Sequence, residues 1–364
     1  YMRVKLGDVC ERGTSNLKLS DVSEKNGEFS VFGASGYIGS VDFYQQGYPY
    51  VAVVKDGAGI GRAMLCPGKT SVIGTMQYLL PKDNILPKYL FYVVKYMNLE
   101  KYFTGATIPH IYFKDYKNEE FNFDFWERQV EIVSVLSKCE KVIDLCKQEL
   151  QLLDKLIKAR FVEMFGDVIH NSKKWQVCLF AEITSSRLGK MLDAKQQTGR
   201  NSYPYLANFN VQWFRFNLEN LNKMDFDEKD RAEFELREGD LLVCEGGEIG
   251  RCAVWHNELQ PCFFQKALHR VRCNHQIILP DYLAWWFRYN CDYGGFSALA
   301  GAKATIAHLP GAKLKQLQVA VPPMELQEQF AVFVAQTDKS KVAVQKALDE
   351  AQLLFDSLMQ EYFG

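Results

Sequence analysis

The chain has 364 residues, of which 48% are hydrophobic and 24% are charged, and its formal net charge is −1. These values are ordinary for globular domains and exclude a mostly disordered chain, while the length predicts at least two hydrophobic cores. The sequence has no apolar run long enough for a membrane span and no apolar signal core near its start. We therefore expect a cytoplasmic protein without a membrane partner.

Charge and cysteine content do not by themselves indicate a partner. The segment 1–126 holds 14 basic and 13 acidic residues, and the segment 167–323 holds 19 and 17. This balance permits DNA binding through local basic patches without arguing for it. The ten cysteines form no Cys-x-x-Cys pair and show no regular histidine spacing, which predicts reduced thiols and no metal site.

Residues 1–126 show the pattern of a mixed α/β domain. The apolar run Tyr50 to Val54 enters a glycine-rich bend at Gly57, as a buried strand followed by a turn would. Pro87 opens an apolar stretch that is typical of a helix with proline in its first turn. The same two patterns return later in the chain, at Asp240 to Cys244 and after Pro280.

The segment 127–166 is predicted to form one long helix. Its apolar residues follow the three-four spacing of a coiled-coil seam, broken only by Arg160. A helix of about 39 residues runs roughly 58 Å, which is too long for one small domain to cover. The seam consists of Leu136, Cys139, Ile143, Cys146, Leu150, Leu153, Ile157 and Met164.

The second half of the chain repeats the first. Ala-Thr-Ile-Pro-His-Ile at 106–111 recurs as Ala-Thr-Ile-Ala-His-Leu at 304–309, a shift of 198 positions. The same shift carries Gln129 onto Gln327, and the ends of the two halves align without a gap. Self-similarity of this kind indicates a duplicated unit.

Landmarks further upstream recur in the same order. The glycine turn at 57–63 is echoed at 246–253, and Ile-Leu-Pro-Lys-Tyr-Leu at 85–90 is echoed at 278–283. Each half is therefore predicted to be one mixed α/β domain followed by one long helix. The predicted segments are domain 1 at 1–126, helix 1 at 127–166, domain 2 at 167–323 and helix 2 at 324–364.

The second long helix has a weaker seam than the first. Because the two halves are related by an approximate two-fold repeat, we expect the helices to pair as an antiparallel coiled coil. Separate packing of each helix on its own domain is the less favoured arrangement, given the helix length. The second seam consists of Val334, Thr337, Lys341, Val344, Leu348, Ala351, Phe355, Leu358 and Tyr362.

No catalytic or nucleotide-binding motif is complete. Gly57-x-Gly-x-Gly61 lacks the third glycine of a dinucleotide loop, because that position is Arg62. Gly68-Lys-Thr lacks the earlier glycine of a phosphate-binding loop. The sequence thus predicts a protein that is not an enzyme. His110 and His308 occupy matching positions, and both packing and a hydrogen bond to a ligand remain open for them.

The second half holds a series of short motifs before its long helix. They are Tyr205–Asn208, Leu236–Val243, Gly250-Arg251, Gln265, Leu268–Arg272 and Val321–Gln329. With these motifs and its repeat, the chain resembles the specificity subunit of Type I restriction-modification systems. The order of the motifs, present twice and each time followed by a long helix, carries the resemblance. The first half departs from the family pattern at 124–129, where a Pro-Pro pair is absent before the helix.

This resemblance implies a division of labour. Each globular domain would be a target-recognition domain that reads one half of a split site in double-stranded DNA, and the helices would set the spacing. Methyltransferase subunits would dock on the domain-helix framework, and restriction subunits would join through them. S-adenosylmethionine and ATP would belong to those partners, so the chain itself is expected to need no cofactor.

Candidate contacts are polar or basic residues in loops, since such side chains read base edges and phosphates. Solvated surface is the alternative for each of them. The candidate DNA-binding residues are Ser35, Tyr37, Lys55, Arg62, Thr107, His110, Arg187, Lys190, Lys195, Arg200, Asn208, Arg251, Lys266, Lys303, Thr305 and His308. The candidate coiled-coil contacts are Leu136, Ile143, Leu150, Leu153, Ile157, Val344, Leu348, Phe355 and Leu358.

Two other classes of function stay open at this point. A non-catalytic scaffold with two protein-binding domains on a coiled-coil spacer would fit the near-neutral charge. An enzyme that used the duplicated glycine turn as a phosphate site is disfavoured by the incomplete motifs. Binding measured against salt separates these classes, because DNA recognition weakens steeply as counterions compete.

Overall fold

The chain folds into two compact units. The computed structural model describes residues 2–23, 27–103, 109–193, 197–297 and 308–364. The first unit consists of Tyr1–Leu150 with Ala343–Gly364, and the second consists of Gln151–Val342. Both long helices contribute to both units, so the division into four consecutive segments stays a prediction.

The first unit combines short strands with short helices and one main helix. A 3-10 turn at Leu99–Tyr102 follows the main helix. The strands are β1 (Met2–Lys5), β2 (Cys10–Thr14), β3 (Phe29–Gly33), β4 (Gly36–Val41), β5 (Tyr50–Val54), β6 (Ala63–Cys66), β7 (Ser71–Val72), β8 (Met76–Pro81) and β9 (Glu120–Phe123). The helices are α1 (Leu6–Val9), α2 (Leu19–Ser23), α3 (Pro87–Met97), α4 (Phe113–Tyr116) and α5 (Trp126–Phe165), the last of which continues into the second unit.

The second unit has most of the same elements in the same order, with an additional hairpin and with helix α7 (Glu228–Phe234), while α2 of the first unit has no counterpart among its described residues. The strands are β10 (Gln176–Leu179), β11 (Thr184–Leu188), β12 (Ser202–Leu206), β13 (Val211–Gln212), β14 (Arg215–Phe216), β15 (Asn222–Asp225), β16 (Leu241–Cys244), β17 (Cys252–Val254), β18 (Phe263–Phe264), β19 (Leu268–Cys273) and β20 (Gln318–Val321). The helices are α6 (Phe180–Ile183), α7 (Glu228–Phe234), α8 (Pro280–Asp292), α9 (Gly311–Lys315) and α10 (Met324–Phe363), and α10 continues into the first unit.

Sheet topology is the same in the two units. The four-stranded antiparallel sheet has the order β2-β8-β5-β6 in the first unit and β11-β19-β16-β17 in the second. Each unit also has a three-stranded sheet, with the order β4-β3-β7 in the first and β15-β12-β18 in the second. The strand pairs β3-β7 and β12-β18 are parallel. The prediction of two copies of a mixed α/β domain joined by long helices is confirmed.

Apolar runs explain why these strands and helices lie in the core. All five residues of β5 are buried, as are the four residues of β16, so both strands are covered on both faces. Helices α3 and α8 each begin with proline, whose fixed φ suits the first helical turn. Each of these helices buries one face against the four-stranded sheet of its own unit.

Within the first unit, parts of the two long helices run antiparallel. The guanidinium of Arg128, near the start of α5, lies 5.8 Å from the ring centroid of Tyr362, near the end of α10. Further along α5, Asp144 lines the same groove as Gln352, ten residues before Tyr362. As the position in α5 rises, the position in α10 falls, which defines the antiparallel direction.

The second unit holds the other parts of the two helices in the same relation. The Nζ atom of Lys341 lies 2.8 Å from Oδ1 of Asp154, and the ring of Phe330 lies 5.4 Å from that of Phe165. The predicted seam position Lys341 is therefore filled by an ion pair with the opposite helix rather than by an apolar contact.

The predicted seam faces the interior of each unit. Leu136, Ile143, Ile157 and Phe355 are each at most 6% exposed. The remaining seam candidates, Leu150, Leu153, Val344, Leu348 and Leu358, are half-buried. In the first unit Leu136, Ile143 and Phe355 share one hydrophobic core with α3. Among the described residues no helix is both long enough and apolar enough to cross a membrane.

A buried glutamine fixes the start of each long helix. The side chain of Gln129 accepts a hydrogen bond from the Leu86 amide at 2.9 Å and donates to the carbonyls of Asn84 at 3.0 Å and Asp124 at 2.9 Å. These three hydrogen bonds hold the start of α5 against the turn before α3. They form although the Pro-Pro pair of the family pattern is absent here. The start of α5 at Trp126 lies one residue before the predicted start.

Gln327 repeats this arrangement in the second unit. It accepts from the Leu279 amide at 2.9 Å and donates to the carbonyls of Ile277 at 3.0 Å and Pro322 at 2.9 Å. Neither Gln129 nor Gln327 is measurably exposed. The sequence repeat is thus reproduced as three matching hydrogen bonds, although the partners before α3 and α8 are shifted by 193 positions rather than 198.

Candidate nucleic-acid interface

The glycine turn of the first unit connects β5 to β6. Gly57, Gly59 and Gly61 all have φ near +80°, a conformation that favours glycine. A Cβ on Gly61 would lie 2.4 Å from the amide nitrogen of Glu100, so the turn could not pack there with a side chain. The repeated glycines are therefore explained by backbone geometry and close packing.

Arg62 ties this turn to the tip of a neighbouring hairpin. Its Nη1 donates to the carbonyl of Ala34 at 3.3 Å, in the two-residue turn between β3 and β4. The candidates Ser35 and Tyr37 belong to the same hairpin and are exposed, Tyr37 by 62%. The Tyr37 hydroxyl lies 3.0 Å from Oγ of Ser40. Arg62, Ser35 and Tyr37 are thus brought together on one surface.

Lys55 and His110 meet through a shared carboxylate. The Nδ1 atom of His110 contacts the Asp56 carboxylate, and Nζ of Lys55 lies 3.7 Å from Asp56. The main chain reinforces the contact, because the Ile111 amide donates to the Lys55 carbonyl at 3.0 Å. For His110, the structure therefore shows a side-chain contact with a carboxylate, and Asp56 is a residue that sequence reasoning missed.

In the second unit, too, an arginine of the glycine turn donates to the carbonyl of a neighbouring loop. Nη2 of Arg251 donates to the carbonyl of Asn208 at 2.9 Å, and Nη1 lies 3.3 Å from the Glu248 carboxylate. The Arg251 side chain is only 17% exposed. Asn208 follows β12 as Ala34 follows β3, so the turn, the arginine and the receiving carbonyl are equivalent in the two units.

The matching histidines differ in their surroundings. His308 forms a β-bridge with Gly246, as His110 does with Asp56. Gly246 offers no carboxylate at this bridge, and the side chain of His308 is exposed. Aligning the two glycine turns would not have shown this difference, because the alignment puts Glu245 opposite Asp56.

Lys190 holds its own loop in place. Its ammonium group contacts the Asp230 carboxylate and donates to the carbonyl of Asp225 at 2.7 Å, and it lies 5.1 Å from the ring centroid of Phe226. The side chain is 20% exposed. These contacts hold the Lys190 side chain against its own loop, and its contact with DNA stays a prediction.

Asp225 anchors the polar loop next to Lys190. Its carboxylate accepts hydrogen bonds from the amide of Thr198, the hydroxyl of Thr198 and the amide of Gly199, at 2.5, 2.7 and 2.8 Å. The hydrogen bond from the Thr198 hydroxyl is the largest of the causes that lower the pKa of Asp225 below its usual value. The candidate Arg200 follows directly and is exposed.

The other candidates of the second unit lie at its surface. Arg187 is exposed on β11 and pairs with Glu233, and Lys266 is exposed before β19. Phe209, beside Asn208, is 53% exposed, and the sequence candidates did not include it. The candidates Thr107, Lys195, Lys303 and Thr305 lie outside the described residues.

These observations define a class of protein. Two equivalent units each present a glycine turn fixed by an arginine, next to an exposed loop, and each is completed by antiparallel helices. Such a chain is a duplicated recognition protein. Residues 1–155 and 172–351 match the family described as the Type I restriction modification DNA specificity domain, and the chain belongs to that family.

A curated relative agrees with this assignment. The putative type I restriction enzyme MjaX specificity subunit of Methanocaldococcus jannaschii is 23% identical over 176 residues. These residues are 47% of this chain and 41% of the relative, so the match spans less than half the length of that protein. The specificity subunits of type I systems are not the catalytic subunits, which places the chain outside the enzymes.

Solved structures agree on the fold. The S subunit of a type I restriction-modification system from M. genitalium matches with a TM-score of 0.63 at 15% identity, covering 100% of this chain and 96% of that one. A chain from a structure on complex assembly and conformational transition of the type I R-M system matches with a TM-score of 0.55 at 14% identity, covering 99% and 97%.

Proposed function

We propose that the chain is the DNA-reading subunit of a type I restriction-modification complex and acts in the cytoplasm. Each unit reads one half of a bipartite target in double-stranded DNA. The long helices set the separation of the two half-sites. The duplicated glycine turn, with Arg62 or Arg251 bound to an adjacent loop carbonyl, is the observation that carries this proposal.

A duplicated surface suits a split target because one recognition geometry is used twice. In the first unit we assign contacts to Ser35, Tyr37, Lys55, Arg62 and His110, which surround the glycine turn. In the second unit we assign contacts to Arg187, Arg200, Asn208, Lys266 and His308. Exposed arginine and lysine suit phosphates and base edges, and polar loop residues suit base edges.

Partners supply the chemistry in this proposal. Methyltransferase subunits dock on the helices and the units, and restriction subunits join through them. S-adenosylmethionine and ATP are bound by those partners. Exposed apolar side chains on the long helices support docking, since apolar residues are usually covered at interfaces. In the first unit they include Val142 and Leu145, which are 46% and 52% exposed, and in the second Leu152 and Leu156, which are 61% and 48% exposed.

The test is methylation mapping with the methyltransferase encoded beside this chain. The double variant Ser35→Ala and Tyr37→Ala should relax the target on one side, and Arg187→Ala with Arg200→Ala should relax it on the other. Each lost specific contact is worth about 1–3 kcal/mol of discrimination. Lys138→Ala on an exposed position of α5 is the control and should leave both half-sites intact.

Two results would contradict the proposal. A continuous methylated target would remove the assignment of one half-site to each unit. DNA affinity that does not fall as salt is raised would show that phosphates are not contacted, and would favour a protein-binding scaffold.

A further inference from the structure

The outer side of strand β6 is open. β6 lies at the edge of its sheet and pairs only with β5. Along an antiparallel strand, the main-chain N–H and C=O groups of successive residues point alternately toward and away from the neighbouring strand. The Arg62 carbonyl accepts a hydrogen bond from the Val54 amide and so points toward β5. The main-chain groups of Ala63 and Leu65 therefore point away from β5. Within the described part of the chain, no hydrogen bond reaches Ala63 or Leu65 from that side.

A groove follows this open edge, and we call it the β6 groove. It has a volume of about 450 Å³ and lies between β6, α3 and the helix parts of the first unit. A second recess of about 360 Å³ continues it past the glycine turn and shares Ala63, Phe91 and Lys95 with it. Together they form a trough along the strand, which suits an extended chain.

The equivalent place in the second unit is filled by the chain itself. The tip of the β13–β14 hairpin lies against β17, and the Phe214 amide donates to the Cys252 carbonyl at 3.0 Å. The Phe214 ring stacks on Trp285 with centroids 4.2 Å apart. Next to it, the guanidinium of Arg288 lies 4.8 Å from the ring centroid of Trp213.

The first unit has no such hairpin and keeps only part of the receiving surface. The repeats place Ala63 at the position of Cys252 and Lys95 at that of Arg288, and both residues line the groove. Tyr92, at the position of Trp285, is buried, and Phe91 is the aromatic residue of α3 that lines the groove. The connection that carries the hairpin, residues 207–221 between β12 and β15, is reduced to the two residues between β3 and β4. The groove is open because the segment that would fill it is missing.

Charge indicates what kind of segment fits. Lys88 stands where the second unit has Asp281. Three lysines line the groove, Lys88, Lys95 and Lys147, together with two carboxylates, Glu140 and Asp144. Nζ of Lys95 lies 3.1 Å from the Glu140 carboxylate. The intramolecular segment of the second unit carries Arg215 directly after its aromatic pair. Because positive charge is in excess along the groove, an occupant of the first unit should carry an acidic residue in place of that arginine.

We propose that the β6 groove docks an extended segment of a partner protein, which pairs with β6 and inserts aromatic side chains next to an acidic residue. Pairing at a sheet edge provides main-chain hydrogen bonds, and the aromatic pockets provide selectivity. The proposal is separate from DNA reading and does not depend on it.

A synthetic peptide tests this with the full-length chain. The probe copies residues 209–218 with Arg215→Glu and a fluorescent label, and its binding is followed by anisotropy. We expect saturable binding that is lost when the peptide residues that copy Trp213 and Phe214 are replaced by alanine. Leu65→Pro removes an amide that points away from β5 and could donate to the peptide. We expect this loss of one interface hydrogen bond, with the contacts around it, to weaken binding about tenfold.

A charge swap provides a second measurement that does not depend on the proline variant folding. The double variant Lys88→Glu and Lys147→Glu should bind the acidic peptide more weakly than the unmodified chain does. It should bind the peptide with the original arginine more tightly. Lys138→Glu, on the same helix as Lys147 but outside the groove, should change neither.

Three outcomes would overturn the proposal. The first is absence of peptide binding up to about 1 mM, the weak end of measurable affinity. The second is equal binding by the charge-swapped and unmodified chains. The third is displacement of the peptide by duplex DNA, which would make the groove a nucleic-acid surface. None of these results decides whether the chain reads DNA elsewhere.

Discussion

Replacing Gln129 by leucine should loosen the first unit and leave the second unchanged. The substitution keeps the volume of the side chain but removes three hydrogen bonds, to Leu86, Asn84 and Asp124. Since the glutamine is fully buried, no water replaces these bonds without rearrangement. Each main-chain group left unpaired costs about 1 kcal/mol at the lower end of the usual range, so the loss totals about 3 kcal/mol.

Hydrogen exchange read by mass spectrometry measures this loss unit by unit, because a two-unit chain has no single free energy of unfolding. A loss of about 3 kcal/mol increases exchange through cooperative opening roughly 150-fold, at 1.4 kcal/mol per tenfold. The increase should appear in β5, β8 and α3. Gln327→Leu should have the same effect on β16, β19 and α8.

Gln148→Leu is the matched control, since Gln148 is an exposed glutamine on the same helix and should change exchange very little. The reasoning fails if Gln129→Leu changes protection by less than about 0.5 kcal/mol, the usual range for surface substitutions. It also fails if both units lose protection equally.

Further predictions concern activity, assembly and pH. The purified chain alone should neither methylate nor cleave DNA, and transfer of a labelled methyl group by it would contradict this expectation. The fragment 1–166 lacks Phe355, Met359 and Phe363 of the first core, so a second copy must replace them. We expect light scattering to show a symmetric homodimer, and a stable monomer would be evidence against this expectation. Hydrogen bonding lowers the pKa of Asp225 in the folded state. The ionised carboxylate therefore stabilises the loop fully above the ordinary carboxyl pKa of about 4. This stabilisation is lost as the pH falls through the lowered pKa. NMR titration of the Thr198 and Gly199 amides should show this transition, and the transition should be absent from Asp225→Asn.

The repeat made much of the fold predictable. Landmarks in the same order in both halves predicted two equivalent domains, and the three-four spacing predicted the long helices almost to the residue. Periodicity reports burial along one element, which is why the seam could be assigned. It does not report which element lies opposite, so the ion pair between Lys341 and Asp154 was not foreseen.

The candidate site was less accessible to sequence reasoning. Lys190 lies in a polar loop and was predicted to contact DNA, yet its partner Asp230 comes from α7, forty residues later. Loop composition gives no information on such distant partners. The equivalent roles of Arg62 and Arg251 depend on carbonyls of separate loops, which are likewise invisible in a motif.

The division of the helices between the units has a consequence for synthesis on the ribosome. The second unit is one continuous stretch, Gln151–Val342, whereas the first combines Tyr1–Leu150 with Ala343–Gly364. Domains fold as they emerge, at about 5–20 residues per second. The second unit can therefore mature before the first, although it is translated later. Until Phe355, Met359 and Phe363 leave the exit tunnel, the nascent first core keeps an apolar cleft uncovered, and for that interval it is a substrate for chaperones or for a neighbouring nascent copy.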